Sequence, residues 1–526
     1  MRKWVIAATL GIFGVLALVP VVALYILAPR IHAELRSRIE NVLKVHFESD
    51  VEFADFSASV FPRIHVTITG LVLRHKGRTD IPPLIEVRKV SMDADLASLV
   101  RAQPHIAFVQ LEGLQIHTPP REHTGGVPLI QSTNQDLAKK YPVLIDQLVA
   151  DDATIVVLRA EPGKTPREFP IHHLQVRDLS FDRPAEFQAT LTNAVPKGEI
   201  NTKGQFGPWL PEEPSETPAV GTYSFYHADL GTLKGLRGVL SSTGKFSGPL
   251  DYLSVDGETD TPDFALRTAD HPMALHTDFS AIVDGTNGDT YLNSVTAHFL
   301  HSTLLVRGKV VDENKAIKGR TIALDAVSRD AHVEDLIRLV AKGDHPVMTG
   351  EVQLQTKITI PEGTPDLIER LQLQGQFGIG DIQFTSRSTQ GKIDTLSRKG
   401  QGQPKDFDIT NVVSEMKGSF GLRDAVVDFS DLQFGVTGAA IDLNGTYNLD
   451  SEAMDFHGKL KLKAKPSQTT TGMKSFFLKA LDPFFKGTDA GTVLAIKITG
   501  TKDSPSFGLD RGRPSTSAES SPPKGQ

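Results

Sequence analysis

The chain has 526 residues, a formal net charge of −7 from 56 Lys and Arg against 63 Asp and Glu, and no cysteine. A nucleic-acid binder needs a strongly basic face, so this balance argues against nucleic acid as a partner. The missing cysteines exclude disulfides, thiolate nucleophiles and cysteine-ligated metals, and they permit export without requiring it.

After Met1-Arg2-Lys3 the run from Trp4 to Ala28 carries no charge. As a helix it crosses roughly 30 Å of hydrocarbon with tilt to spare. Trp4 and Tyr25 sit near its ends, where aromatic residues favour the interface, and Phe13 and Leu18 lie within it. A cleaved signal peptide is the competing reading. The apolar run is too long for one, and Pro29 and Arg30 stand where small residues are wanted. Arg2 and Lys3 precede the span, while Arg30, Arg36, Arg38 and Lys44 follow it. Charge alone therefore nearly balances, and the very short N-terminal flank favours export of the long remainder.

Beyond the anchor, Ile31, Leu35, Ile39, Val42 and Leu43 recur at helical spacing. They predict an amphipathic helix that either caps the folded part or lies on the membrane surface. From about Val51 the period changes to two. Arg63 to Leu73, His105 to His117 and Asp152 to Ala160 read as strands rich in β-branched residues. In "EVQLQTKITI", Val352, Leu354, Thr356, Ile358 and Ile360 oppose Glu351, Gln353, Gln355, Lys357 and Thr359. In "GKLKLKAKP", Leu460, Leu462 and Ala464 oppose four lysines. Such alternation means antiparallel sheet with one apolar and one wet face, and Val352, Leu354, Ile358, Leu460 and Leu462 are its candidate lining residues.

A glycine followed by a polar residue and usually a strand former recurs, as at Gly308, Gly350, Gly375, Gly418, Gly445 and Gly458, at uneven spacing. Glycine inside a strand marks a bulge, a bend or a close backbone approach, so a long sheet that bends repeatedly is expected, not a strict solenoid. Helices are expected over Thr133 to Val149 and Arg329 to Gly343, and a polar loop over 386–410. Residues 511–526 are a Ser/Pro/Gly-rich tail expected to be disordered.

Near the C-terminus, "MKSFFLKALDPFFKG" places Met473, Phe476, Phe477, Ala480, Leu481, Phe484 and Phe485 on one helical stripe within 473–486. Lys474, Lys479 and Lys486 lie off the stripe, and Pro483 ends or kinks the helix. The stripe reads first as a cap over the open end of a sheet, and second as a membrane contact.

Catalytic and metal motifs are not evident. His298 and His301, or the adjacent His172 and His173, point to opposite faces of a strand, and neither pair is completed by a carboxylate cluster. His117 with His123 is no stronger. "VDGTNGDTY" offers Asp284, Asn287 and Asp289, but it lacks the downstream Glu of a calcium loop and matches a tight hairpin. No nucleophile elbow, Walker loop or dinucleotide fingerprint occurs, so no cofactor and no enzyme activity are expected.

Three blocks together resemble the AsmA-like family of envelope proteins, relatives of TamB. They are Val51 to Gly77 with Pro82 to Ile116, Leu275 to Val310 with His332 to Gly363, and Gly438 to Ala464 through Asp482 to Leu509. The resemblance spans about two thirds of the chain and rests on strand and turn patterns, and residues 120–251 take no part in it. It implies a single-pass inner-membrane protein whose periplasmic part is an elongated, curved antiparallel groove with an apolar lining. On this reading 1–29 is a short cytoplasmic start and anchor, 30–47 an amphipathic helix and 48–130 an N-terminal AsmA-like β region. The central sheet is 131–385 and the C-terminal AsmA-like module 411–510. The family is linked to outer-membrane homeostasis and to carrying phospholipid between membranes. The partners implied are a phospholipid bilayer, bound phospholipid and envelope proteins. With each strand adding about 4.8 Å, some 25 strands would give on the order of 120 Å. A non-conducting envelope scaffold or assembly factor is the alternative.

Overall fold

The computed structural model describes residues 32–47, 49–59, 63–75, 77–94, 105–118, 143–157, 167–180, 182–210, 213–267, 269, 271–313, 319–341, 345–404, 407–464, 493–501 and 504–510. The expected membrane anchor with Trp4, Phe13, Leu18 and Tyr25, the stripe carrying Met473, Phe476, Phe477, Leu481, Phe484 and Phe485, and the tail all lie outside them. Among the described residues no helix is long and apolar enough to cross a membrane.

The described chain is mostly strand, as the alternation requires, and it divides into two compact units. The first comprises Met1–Thr232, Leu240–Thr259 and Ser280–Thr290, and the second Leu233–Val239, Asp260–Phe279 and Tyr291–Gln526.

In the first unit a helix, α1 (32–47), leads into strands β1 (Ser49–Glu52), β2 (Asp55–Ser59), β3 (Ile64–His75), β4 (Ile85–Ala94) and β5 (His105–Thr118). β6 (Leu144–Val157), β7 (Arg167–Leu179), β8 (Ala185–Ala194), β9 (Lys197–Phe206) and β10 (Pro218–Asp229) continue it. β1 and β2 both pair with β3, and each later strand pairs with the one before it. One pairing departs from the antiparallel expectation: β5 and β6 run parallel, with Val109 opposite Leu148 and Ile116 opposite Ile155. A parallel pair needs a crossover of a dozen residues or more, and 119–143 supplies it. The helix expected over Thr133 to Val149 is accordingly corrected at its C-terminal end, where Leu144 to Val149 belong to β6.

The core of this unit includes Phe56, Ile68, Leu73, Val90 and Val109, all buried. Leu35, Ile39, Leu43 and Phe47 of α1 pack against it, so α1 caps the sheet. Arg36–Glu40 and Glu34–Arg38 pairs lie on its exposed side, where such pairs contribute only tenths of a kcal/mol.

The strands β11 (Leu236–Arg237), β12 (Val239–Pro249), β13 (Leu253–Leu266), β14 (Met273–Val283) and β15 (Thr290–Phe299) carry residues of both units. The loop after β14 is a turn. Asp284 accepts hydrogen bonds from Thr286 N and Asn287 Nδ2, so the carboxylate of the would-be calcium loop is engaged by the loop itself.

The second unit continues through β16 (Ser302–Val311), β17 (Thr321–His332), β18 (Met348–Ile360), β19 (Gln372–Phe384), β20 (Ser414–Arg423) and β21 (Val426–Val436). β22 (Ala439–Asn448), β23 (Ala453–Leu462), β24 (Val493–Thr501) and β25 (Pro505–Leu509) complete it. From β16 to β25 every strand pairs antiparallel with the next.

Among the described residues of this unit two helices sit between strands. α2 (Val333–Val340) is shorter than the Arg329 to Gly343 expected, because β17 runs on to His332. Its Asp335 is buried and accepts from His301 N (2.9 Å) and from Ser302 Oγ (2.8 Å), fastening the helix to the turn before β16. Asp335→Ala is expected to cost about 2–4 kcal/mol in urea unfolding, since the buried Ser302 hydroxyl and the part-buried His301 amide lose their acceptor, while Asp335→Asn costs less.

α3 (Arg387–Gly400) occupies most of the stretch expected as a loop over 386–410. Its apolar content is small, and polar groups dock it instead. Ser386 caps the N-terminus, Gln390 bonds Phe384 N and Val412 O, Asp394 accepts from Asn411 N and Val412 N, and Ser397 donates to Thr437 O. Gly391 is exposed within this helix, and a Cβ there would meet nothing within 4 Å. Gly391→Ala should therefore raise stability by about 0.5–1 kcal/mol, read as a higher urea midpoint.

Candidate functional site

Side chains alternate across a strand, so antiparallel register carries a face from one strand to the next. In the second unit it assembles rows of apolar residues that lie far apart in sequence. One row runs Ala331, Val352, Ile379, Met416, Phe434, Ile441, Leu460, Leu494 across eight strands without a polar residue. Another runs Leu324, Ile358, Leu373, Leu422, Val427, Tyr447, Met454. Between them lie Thr356, Gly375, Phe420, Phe429, Gly445, Phe456, Ile498 and Phe507.

The reverse face is polar. Asp325, Lys357 and Gln374 share one row, and Asp442 and Lys459 another. There an open depression of about 560 Å³ is lined by Asp428, Ser430, Asn444, Thr446, Asp455, His457 and Asp510. His457 is held between Asp510 (2.8 Å) and Asp455 (3.1 Å), tying the end of β25 to β23.

Phenylalanine rings cluster on the apolar face. Phe377 lies 6.1 Å from Phe420 and 6.4 Å from Phe429, and Phe429 lies 5.9 Å from Phe456. β21 and β23 are two strand spacings apart, about 9.6 Å. Their rings meet because Gly445, between them on β22, puts no side chain in the way.

The five lining residues expected from alternation do share this face, but they do not share one environment. Val352 is buried beneath α2, in a cluster with Val333, Ile379 and Ile382, and Leu354 packs at its edge. Leu462 is buried with Val436 and Ala439 beneath α3, with Leu460 at that cluster's edge beside Ile393 and Leu396. Ile358 lies outside both clusters and is half-buried, as are Leu373, Phe420, Phe429 and Phe456. Among the described residues the face is thus closed at its helix-bearing end and mostly half-buried along the rows through Ile358 and Phe456. Alternation could have found each phenylalanine singly, but not their meeting, which depends on pairing.

The histidines weighed as metal ligands are engaged separately. His172 bonds Thr192, His173 pairs with Asp151 (2.8 Å), His298 bonds Thr303, and His301 lies beside Asp335. Comparison of the chain with protein families, with curated proteins and with solved structures finds no match in any of the three.

Proposed function

We propose that this chain binds phospholipid through the apolar face of its sheet, as a membrane-anchored envelope protein of the AsmA-like type. In this reading the face bends into an elongated groove along which acyl chains lie and move, with the bulk of the chain in the periplasm and no catalytic step. The observation that carries it is the half-buried apolar face through Ile358, Leu373, Phe420, Phe429 and Phe456, which spans several strands and lies outside the clusters under α2 and α3.

Drawing a lipid out of a bilayer exposes its methylenes at about 0.8 kcal/mol each. Only a surface that replaces the lost apolar contact along the whole chain offsets that cost, so a lane must be unbroken to serve. A scaffold has no need of an uncovered apolar lane.

The test is to purify residues 32–510, which keep α1 on its core, and to identify copurifying lipids by mass spectrometry. Phospholipid in near-stoichiometric amount supports the reading. A folded, monodisperse, lipid-free protein would favour the non-conducting scaffold.

A further inference from the structure

The outward side of α3 is cationic. Arg387 and Lys392 are exposed, Arg398 and Lys399 are half-buried in the last turn, and Lys463 is exposed on the strand end docked against that turn. The docking is direct, because Ala464 N donates to Gly400 O (2.9 Å). Among the described residues none of these five cations has a carboxylate within ion-pair distance, whereas Lys309 and Lys461 of the same unit are paired with Glu313 and Asp442. The helix's own carboxylate, Asp394, is already engaged by two backbone amides.

Cations in a last turn are favoured by the helix dipole. Here several C-terminal carbonyls are already hydrogen-bonded: Gln401 N donates to Ser397 O, Gly402 N to Lys399 O and Gln403 N to Arg398 O. Burial, and then the neighbouring Arg398 guanidinium, hold the Lys399 ammonium below the ordinary lysine value. Like charges gathered in this way, in a chain of net charge −7, complement an anionic surface.

We infer that the outer side of α3, with Lys463, docks on a membrane surface through anionic phospholipid headgroups. This rests on the phospholipid reading above and names the surface from which lipid reaches the face. α3 covers the closed end of the same sheet, packing Ile393 and Leu396 beside Leu460. A headgroup held at the outer side of α3 therefore stands across the helix from Leu460 of the first apolar row.

The test reconstitutes the full chain into phosphatidylcholine vesicles and measures capture of labelled target vesicles. Targets are pure phosphatidylcholine, or phosphatidylcholine with about one third phosphatidylglycerol. Wild type is expected to capture the anionic vesicles at least about tenfold better, with the preference fading as salt rises. Arg387→Gln with Lys392→Gln should weaken capture by about fivefold per charge removed, equivalent to about 1 kcal/mol each. The charge-conserving Arg387→Lys with Lys392→Arg should retain it. Both side chains are exposed, so an unchanged urea midpoint certifies the fold. Equal capture of the two vesicle types, or an unaffected glutamine variant, overturns the inference. Lipid bound to each preparation is measured in parallel. Wild type that carries lipid but shows no preference for anionic vesicles refutes the α3 surface alone, and preferential capture by wild type without bound lipid refutes the groove alone.

Discussion

Ile358→Asp combined with Phe456→Asp is expected to leave the protein folded and to reduce copurifying phospholipid by more than about tenfold. Both positions are half-buried and lie outside the clusters under α2 and α3, so in the lipid-free protein each new carboxylate can remain hydrated. Beneath an acyl chain it cannot, and burying an unpaired carboxylate costs several kcal/mol even after relaxation. Two such sites interrupt both of the rows that lie away from the helices. Val352→Asp is the contrasting substitution. Val352 is 2% exposed under α2, so a charge there has no route to water and the unit should unfold. Mass spectrometry of bound lipid beside circular dichroism separates the two cases. Undiminished lipid in a folded Ile358→Asp/Phe456→Asp protein would refute the face as the binding surface.

Gly458→Ala should be among the most destabilising single-methyl additions in the chain. A Cβ at 458 would lie 1.8 Å from the Asp442 carbonyl oxygen across the β22–β23 pair. At Gly445, on the same pair, the corresponding distance to the Asp455 carbonyl oxygen is 2.1 Å, and φ is +152°. The obstacle is backbone in both cases, so relief requires the strands to separate. A cost of about 3 kcal/mol or more is expected at Gly458, at the upper end of what overpacking produces. Gly378→Ala provides the control: nothing lies within 4 Å of its Cβ position, and a change under about 1 kcal/mol is expected. Equal urea midpoints for the two variants would show that the close approach does not constrain the sheet.

These glycines also explain part of the sequence pattern. Several of the repeated glycine units mark places where a neighbouring strand's carbonyl occupies the side-chain space, as at Gly308, Gly375, Gly445 and Gly458. Gly350 and Gly418 also face such a carbonyl, of Gly380 at 2.7 Å and of Asp431 at 2.9 Å, and they lie in addition where the register shifts. A composition-level reading recognises the unit but cannot tell these cases apart, because the distinction depends on which strand lies alongside.

The one-sided strands were determined by sequence alone. In β18 and β23 the period-two pattern holds residue by residue, and the burial of Val352 and Thr356 against exposed Glu351, Gln353 and Lys357 follows it. Amphipathic α1 was equally legible, since Leu35, Ile39 and Leu43 leave only one face to bury. Tertiary structure decided the rest. Leu144 to Val149 have helical spacing, yet they are strand because β5 lies parallel beside them and offers a full ladder of hydrogen bonds. α3 reads as polar loop because Gln390, Asp394 and Ser397 dock it through backbone groups distant in sequence, which no periodicity records. The apolar face was visible strand by strand. Which of its residues are covered and which stay open was settled by where α2 and α3 fall, and the meeting of Phe429 with Phe456 by a glycine on the strand between them. Local pattern dictates the direction of a side chain, and only the pairing of strands supplies its neighbour.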